Sequence, residues 1–161
     1  MIPSAKKIVG VAALKKDLSA LRKSGKTIAF TNGCFDLMHL GHVKYLEAAK
    51  KADRVLVVGL NSDKSIHHIK GPSRPICPQA SRAAVLAALS SVDFVVFFNE
   101  DTPYNLIKAL GPDVLVKGAD WKGKKVAGSD LVKKVEFIRY INGFSTSNII
   151  EKIKALAHPR R

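Results

Sequence analysis

Residues 31–42 read TNGCFDLMHLGH, a polar turn with one glycine at its start and two histidines at its end. The turn follows Lys26–Phe30, a short run expected to form a strand, and it leads into residues 40–52, where Tyr45 and Leu46 fall on the expected buried side of a helix. A strand that passes through a glycine turn into a helix is the opening unit of an α/β fold. The rest of the chain repeats this unit.

Strands and helices alternate about five times without a repeat or a low-complexity linker. We therefore predict an α/β fold, a Rossmann-like five-stranded parallel sheet with helices on both faces, in one domain over residues 1–161. In the N-terminal region, residues 1–25, we expect a helix over 6–25. Residues 61–78 are expected to form a long polar loop with His67 and His68 in solvent. Residues 157–161 are expected to form a flexible tail. The remaining strands are expected at 54–60, 94–98, 113–117 and 134–140, and the remaining helices at 79–90, 103–110 and 147–156.

The loops that follow the predicted strands are polar and basic, whereas a helix-exit loop such as Gly111-Pro112 is a plain turn. Parallel α/β sheets bind ligands beyond the carboxyl ends of their strands, where the strand order reverses. We therefore expect an anion-binding site on the rim formed by the strand-exit loops, which are Thr31–His42, Asn61–Pro78, Asn99–Thr102, Gly118–Val126 and Asn142–Ser147.

Composition narrows the function classes. The 27 Lys and Arg residues against 13 Asp and Glu give a net charge of +14, which favours nucleic acid or small polyanions as ligands. No apolar run of about 18 residues predicts a membrane span, and no signal peptide is recognisable at the N-terminus. Cys34 and Cys77 form no C-x-x-C pair. We expect a cytoplasmic protein.

His39 and His42 lie three residues apart on the first turn of the predicted helix and therefore share one face. Gly41 lets a ligand approach the backbone, and the helix N-terminus presents free N–H groups and a positive dipole end, so the motif predicts phosphate binding. Three alternatives remain: solvent-facing or core histidines, a metal pair, which lacks the usual i, i+4 spacing, and a thiol mechanism through Cys34.

These residues carry a resemblance. Asn32–Asp36 followed by His39–His42 resembles the first signature of the cytidylyltransferase-like nucleotidyltransferases, and Gly143–Asn148 resembles their second, a hydroxyl-rich turn that opens a late helix. Within this superfamily the chain is most similar to the bacterial D-glycero-β-D-manno-heptose 1-phosphate adenylyltransferases, over about Thr27–Ile153. Many of these are fused to a sugar kinase, so the length predicts a stand-alone form. The similarity includes 58–63, 70–75, Arg82, 92–94, 100–103 and 112–121.

The resemblance implies roles for individual residues. It makes His39, His42 and Lys44 catalytic through contacts to the triphosphate. It also implies an acceptor site. Arg74 and Arg82 are expected to act there as anion clamps, because a guanidinium group can hold a phosphate through two hydrogen bonds. The nucleotide-binding residues would be Asn32, Gly33, Cys34, Phe35, Gly41, Lys117, Gly118, Asp120, Ser145, Thr146 and Ser147, and the acceptor-binding residues Asp36, Asn61, Asp63, Arg74 and Arg82.

The implied reaction transfers AMP from ATP to heptose 1-phosphate and gives ADP-heptose, a heptose precursor such as that of the lipopolysaccharide core, and pyrophosphate. Mg²⁺ is expected as a cofactor bound mainly through the nucleotide phosphates, with no protein metal site. The expected partners are ATP, a sugar 1-phosphate and a second copy of the chain in a homodimer, with no nucleic acid and no membrane. The alternatives are a glycerol 3-phosphate cytidylyltransferase, an FMN adenylyltransferase, a basic nucleic-acid-binding module and a nucleotide sensor without catalysis.

Overall fold

The computed structural model describes residues 3–139 and 143–157. In chain order the elements are α1 (Ser4–Lys7), α2 (Val11–Lys23), β1 (Thr27–Gly33), α3 (Leu40–Ala49), β2 (Arg54–Asn61), α4 (Asp63–Lys70), α5 (Gln79–Ala88), β3 (Phe94–Phe98), α6 (Tyr104–Leu110), β4 (Val114–Gly118), β5 (Lys134–Ile138) and α7 (Thr146–Ala157). Two short 3₁₀ turns, Ala119–Trp121 and Ser129–Leu131, lie between β4 and β5.

The five strands form one sheet in the order β3-β2-β1-β4-β5, and every pair is parallel. This confirms the predicted α/β fold with a Rossmann-like five-stranded parallel sheet. The chain moves outward from β1 to β3 and then returns to the other side of β1, so the strand order reverses between β1 and β4. A crevice is expected there, beyond Gly33 and Gly118, at which these two strands end.

Two layers of apolar side chains hold the helices against the sheet. Leu46 of α3 and Leu86 of α5 lie in the cluster on one face, and Leu14 of α2 and Ile107 of α6 lie in the cluster on the other. Strand β2 is buried at every position, as its continuous apolar run predicts for a strand covered on both faces. The core therefore fixes the strand ends from both sides.

The predicted helix over residues 6–25 is wrong in one respect, because it is two helices, α1 and α2. Ile8 forms a parallel bridge with Val95 at the edge of the sheet, and the Val9 N–H donates to the Val95 carbonyl at 3.0 Å. The helical spacing of apolar residues continues across this break, so periodicity alone could not reveal it.

The predicted long loop over 61–78 is also wrong, since its first half is the helix α4. Ser62 caps this helix, and its Oγ accepts a hydrogen bond from the Ser65 N–H at 3.2 Å. The cap offsets the low helix propensity of a polar segment. His67 and His68 are exposed, as predicted.

The end of the chain agrees in outline. Strand β5 ends at Ile138, and Tyr140 of the predicted strand and Asn142 of the predicted loop lie outside the described residues. Helix α7 begins at Thr146 and ends at Ala157, so the predicted tail overlaps the helix by one residue and otherwise lies outside the described residues. Among the described residues, no helix is both long and apolar enough to cross a membrane.

Candidate active site

A cleft of about 560 Å³ opens beyond the carboxyl ends of the strands. This volume lies in the range of small-ligand sites. Its walls come from the strand ends and the loops that follow them, from α3, from the end of α4 and from the first residues of α7. The cleft lies where the reversal of strand order predicts it. The lining residues are Asn32, Gly33, Cys34, Phe35, Asp36, His42, Tyr45, Asn61, Ile69, Lys70, Arg74, Asp101, Thr102, Pro103, Lys117, Gly118, Trp121, Ala127, Thr146 and Ser147.

The two predicted histidines stack on each other at the N-terminus of α3. His39 is the N-cap residue, and its ring centroid lies 3.8 Å from that of His42 at an interplanar angle of 27°. Glycine fits closely between them, because a Cβ on Gly41 would lie 3.0 Å from two ring atoms of His39 and 3.3 Å from the Cβ of Phe144, so these side chains would have to shift. The Phe35 ring lies 5.3 Å from the His42 ring at an interplanar angle of 53°, so it contacts the histidine pair in a tilted arrangement from the glycine turn.

Burial keeps this histidine pair neutral. It lowers the pKa of His42 to about 4, with a smaller contribution from the neighbouring His39, and it also lowers the pKa of His39. The Nδ1 atoms of both rings are buried without a hydrogen-bond partner among the described residues. An unsatisfied buried ring nitrogen is costly, so the geometry favours a ligand that supplies the missing partner.

The second predicted motif lies in the same cleft. Thr146 and Ser147 line it at the N-terminus of α7, and the Thr146 hydroxyl donates to the Leu37 carbonyl at 3.3 Å, which ties α7 to the turn before the histidines. Ser145 caps the helix, since its Oγ accepts from the Asn148 N–H at 3.0 Å. Residues of both motifs therefore line the same cleft.

Lys117, the penultimate residue of β4, is held inside the cleft. Its Nζ donates to the Oδ1 of Asn32 at 2.5 Å and lies 5.1 Å from the ring centroid of Trp121. Burial lowers the pKa of Lys117 to about 8, although the nearby Asp120 carboxylate opposes the shift. Trp121 is 38% exposed and lines the cleft rather than packing in the core.

Asp36 lines the cleft, but its carboxylate is already satisfied by the protein. It accepts from the Arg74 Nε at 2.8 Å and from the backbone N–H groups of Ile76 and Cys77, the latter at 2.8 Å. These bonds fix the segment after α4 against the glycine turn and place Arg74 at the cleft wall. Arg74 therefore lies at the cleft wall, and its pairing with Asp36 holds it there.

Arg82 does not act as an anion clamp, which corrects the prediction. Its side chain is fully buried and donates to the carbonyls of Cys34, Asn61 and Cys77 at 2.5, 2.9 and 3.0 Å and to the Asp63 carboxylate at 2.8 Å. These bonds tie together the segments that follow β1 and β2. The predicted acceptor role of Asp63 is likewise not supported, since Asp63 pairs with Arg82 and does not line the cleft.

Three further predicted residues do not line the cleft, namely His39, Lys44 and Asp120. The Lys44 ammonium group donates to the Glu47 carboxylate at 2.8 Å on a half-exposed face of α3, and the Asp120 side chain is exposed. The remaining residues predicted for the nucleotide lie where expected, except that Ser145 and Gly41 support the helix tips rather than line the cleft.

Cys34 lines the cleft without the properties of a nucleophile. Burial raises the pKa of its thiol, and the nearby Lys70, Arg82 and Arg74 only partly oppose the shift. A raised pKa disfavours the thiolate that a covalent mechanism requires. The thiol alternative is therefore disfavoured.

Sequence reasoning placed residues 61–78 and 99–102 on the rim, but it named none of the residues that form one wall of the cleft, which are Ile69, Lys70, Asp101, Thr102 and Pro103. The signal for this wall was present in the capping serine Ser62, which predicts a helix where a loop was expected. No group of three or more His, Cys, Asp or Glu side chains placed to hold a metal occurs in residues 3–139 and 143–157.

Comparison with known proteins agrees with this geometry. The family model described as cytidylyltransferase-like matches residues 30–152. The chain is 59% identical to the bifunctional protein HldE of Campylobacter fetus over 138 residues, 86% of this chain and 30% of that protein. It is 54% identical to HldE of Nitratiruptor sp. over 145 residues, 90% of this chain and 31% of that protein. The chain therefore spans about a third of the length of these relatives.

A solved structure has the same fold. It is a lipopolysaccharide core biosynthesis protein from Thermoplasma volcanium, with a TM-score of 0.56 and 28% identity, and the match covers 71% of this chain and 96% of that one.

Proposed function

The chain belongs to the cytidylyltransferase-like family of nucleotidyltransferases, and on that premise we propose that it transfers AMP from ATP to D-glycero-β-D-manno-heptose 1-phosphate, releasing pyrophosphate. The observation that carries the proposal is the shared cleft of two helix tips. His42 at α3 and Thr146 with Ser147 at α7 face the same space, and free helix N–H groups favour phosphate oxygens at both tips.

In the proposed reaction, an oxygen of the acceptor phosphate attacks the α-phosphorus of ATP. A new P–O bond forms as the bond to the bridging α,β-oxygen breaks, and that electron pair leaves with pyrophosphate. The acceptor phosphate is already a nucleophile, so the enzyme has to align the two substrates and stabilise the charge that develops. No covalent intermediate with the protein is required.

The residues of the two helix tips would supply that stabilisation. The neutral His42 ring donates a hydrogen bond to the α-phosphate, and the Ser147 hydroxyl and the free N–H groups at the N-terminus of α7 bind the departing pyrophosphate. Lys117 and Trp121 hold the nucleoside end. Mg²⁺, when bound, would neutralise part of the negative charge of the triphosphate. It would be held mainly by the phosphate oxygens of the nucleotide, because the described residues form no carboxylate cluster that could hold it.

The choice of acceptor is supported by the resemblance over about Thr27–Ile153 and by the names of two comparison proteins, HldE and a lipopolysaccharide core biosynthesis protein. Arg74 at the cleft wall, oriented by Asp36, suits the acceptor phosphate. We further propose that the enzyme is cytoplasmic and that it acts as a homodimer. Sedimentation of the purified chain would test the homodimer.

Pyrophosphate release tests the proposal. The purified chain with Mg²⁺ is given ATP or CTP together with heptose 1-phosphate, mannose 1-phosphate, glycerol 3-phosphate or FMN. Faster release with ATP and heptose 1-phosphate than with any other pair supports the proposal. Faster release with CTP and glycerol 3-phosphate, or with ATP and FMN, would assign the chain to another branch of the family. Salt-dependent binding of nucleic acid without any turnover would instead favour the basic binding module.

A further inference from the structure

The end of the cleft nearest β2 and β3 is built by two segments that hydrogen bonds join. The Asn61 amide donates to the Ser65 hydroxyl at 3.0 Å, and the Ser65 hydroxyl donates to the Glu100 carbonyl, also at 3.0 Å. The His68 Nδ1 lies 2.6 Å from the Oδ1 of Asp101. Helix α4 is therefore fastened along its length to the loop that follows β3.

These bonds bring two kinds of side chain to one part of the cleft. Helix α4 contributes Ile69 and Lys70, and the loop contributes Asp101, Thr102 and Pro103. The set combines a cation, a carboxylate and a hydroxyl with two apolar side chains. A carboxylate would weaken the binding of a phosphate in this part of the cleft, because the two negative charges repel each other.

The two carboxylates that line the cleft differ in what they have left to bind. Asp36 is saturated by Arg74 and by backbone N–H groups. Asp101 has one partner within the described part of the chain, His68, on one of its two oxygens. Its side chain is 54% exposed, so the second oxygen can accept a hydrogen bond from a ligand. Hydroxyl groups of a phosphorylated ligand are donors from which such a carboxylate can accept.

We propose that Asp101 recognises hydroxyl groups of the acceptor, that His68 positions its carboxylate, and that the acceptor is therefore a polyhydroxylated phosphate monoester. This inference rests on the proposed function and adds the residue that selects the acceptor. Asp101 is a binding residue, since it touches the substrate. His68, which is 73% exposed, acts only through Asp101.

The test compares acceptors of different hydroxyl content. In Asp101→Asn, kcat/KM for heptose 1-phosphate is expected to fall about 10- to 100-fold, because the charged acceptor of the hydroxyl hydrogen bonds is lost. For glycerol 3-phosphate, which has few hydroxyls, the fall should be less than about threefold. His68→Gln should lower kcat/KM for heptose 1-phosphate about two- to fivefold, since an exposed pair contributes little. Asp17→Asn, the same change on an exposed face of α2, is the matched control.

ATP binding separates the inference from the proposed function. Trp121, the single tryptophan, lines the cleft, so ATP titrations followed by its fluorescence should give the same Kd for wild type and Asp101→Asn. If the wild type uses no sugar phosphate, the proposed function fails. If the wild type is active and Asp101→Asn keeps its preference for heptose 1-phosphate over glycerol 3-phosphate, or loses affinity for ATP instead, the inference about Asp101 is overturned.

Discussion

The two helix tips that form the cleft satisfy their polar groups differently. At the tip of α7 the side chains are engaged, since Ser145 caps the helix and the Thr146 hydroxyl donates to the Leu37 carbonyl. At the tip of α3 no side chain caps the helix, and the Nδ1 atoms of His39 and His42 lack partners among the described residues. The named polar side chains at the α7 tip have partners within the protein, whereas the histidine Nδ1 atoms at the α3 tip would gain a partner only from a ligand.

This difference explains why two motifs of similar appearance should respond differently to substitution. Polar groups already engaged in the protein contribute mainly to stability, whereas groups that are satisfied only by the substrate contribute mainly to catalysis. The α3 tip should therefore control turnover, and the α7 tip should control folding and the binding of pyrophosphate oxygens.

The largest effect is expected for His42→Ala. The substitution removes a hydrogen-bond donor to the phosphate at which charge develops, so kcat should fall about 100-fold or more while KM for ATP changes less. Steady-state pyrophosphate release measures both constants. His67→Ala, the same change on the exposed part of α4, is the control. An unchanged kcat in His42→Ala would contradict the role given to the α3 tip.

Acid should destabilise the α3 tip specifically. The pKa of His42 is about 4 in the folded chain and about 6.5 when exposed, so the unfolded chain binds more protons between these values. This contribution to stability is complete above about pH 6.5 and is lost as the pH falls towards 4. The loss should be about 1 to 2 kcal/mol, because solvent reaches part of the ring. Urea unfolding between pH 7 and pH 4.5 measures it.

The substitution His42→Asn checks the source of this acid sensitivity. The variant has no titrating ring at this position, so its free energy of unfolding should fall less over the same pH interval. An equal fall in both proteins would place the sensitivity elsewhere in the molecule.

Ser145→Ala should give a smaller effect of the opposite kind. Loss of the cap of α7 should lower the free energy of unfolding by about 1 kcal/mol with kcat within about twofold of wild type. Thermal unfolding and turnover on the same sample measure the two effects. A large loss of kcat at unchanged Tm would show that Ser145 contacts the substrate after all.

The smallest effect is expected for Ser147→Ala. Ser147 lines the cleft and does not cap the helix, so KM for ATP should rise about two- to fivefold while the Tm stays close to that of wild type. A lower Tm without a change in KM would show that Ser147, like Ser145, stabilises the helix rather than binds ATP, and it would contradict the different roles given to the two residues.

The alternation of strands and helices and the position of the first motif could be predicted from sequence, because both depend on local patterns. Residues 55–60 form a continuous apolar run that is typical of a strand covered on both faces, and β2 is buried throughout. The break between α1 and α2 could not be predicted, since it depends on pairing of Ile8 with Val95, far away in the chain.

For the site as well, only local features could be predicted. His39 and His42 lie three residues apart with Gly41 between them, and this pattern is visible in the sequence itself. The burial of Arg82 depends on carbonyls of Cys34 and Asn61, 48 and 21 residues away along the chain, and no local pattern distinguishes this arginine from a phosphate clamp. Lys44 follows the histidines in sequence, yet the helix turns it towards Glu47.

The central claim is that both helix tips bind one triphosphate, and a crystal structure of the chain with a non-hydrolysable ATP analogue and Mg²⁺ tests it most directly. The account predicts phosphate oxygens within hydrogen-bond distance of the His42 ring and of the Thr146 or Ser147 hydroxyl in the same molecule of analogue. A triphosphate that contacts only one tip, or that lies outside the cleft, would contradict it.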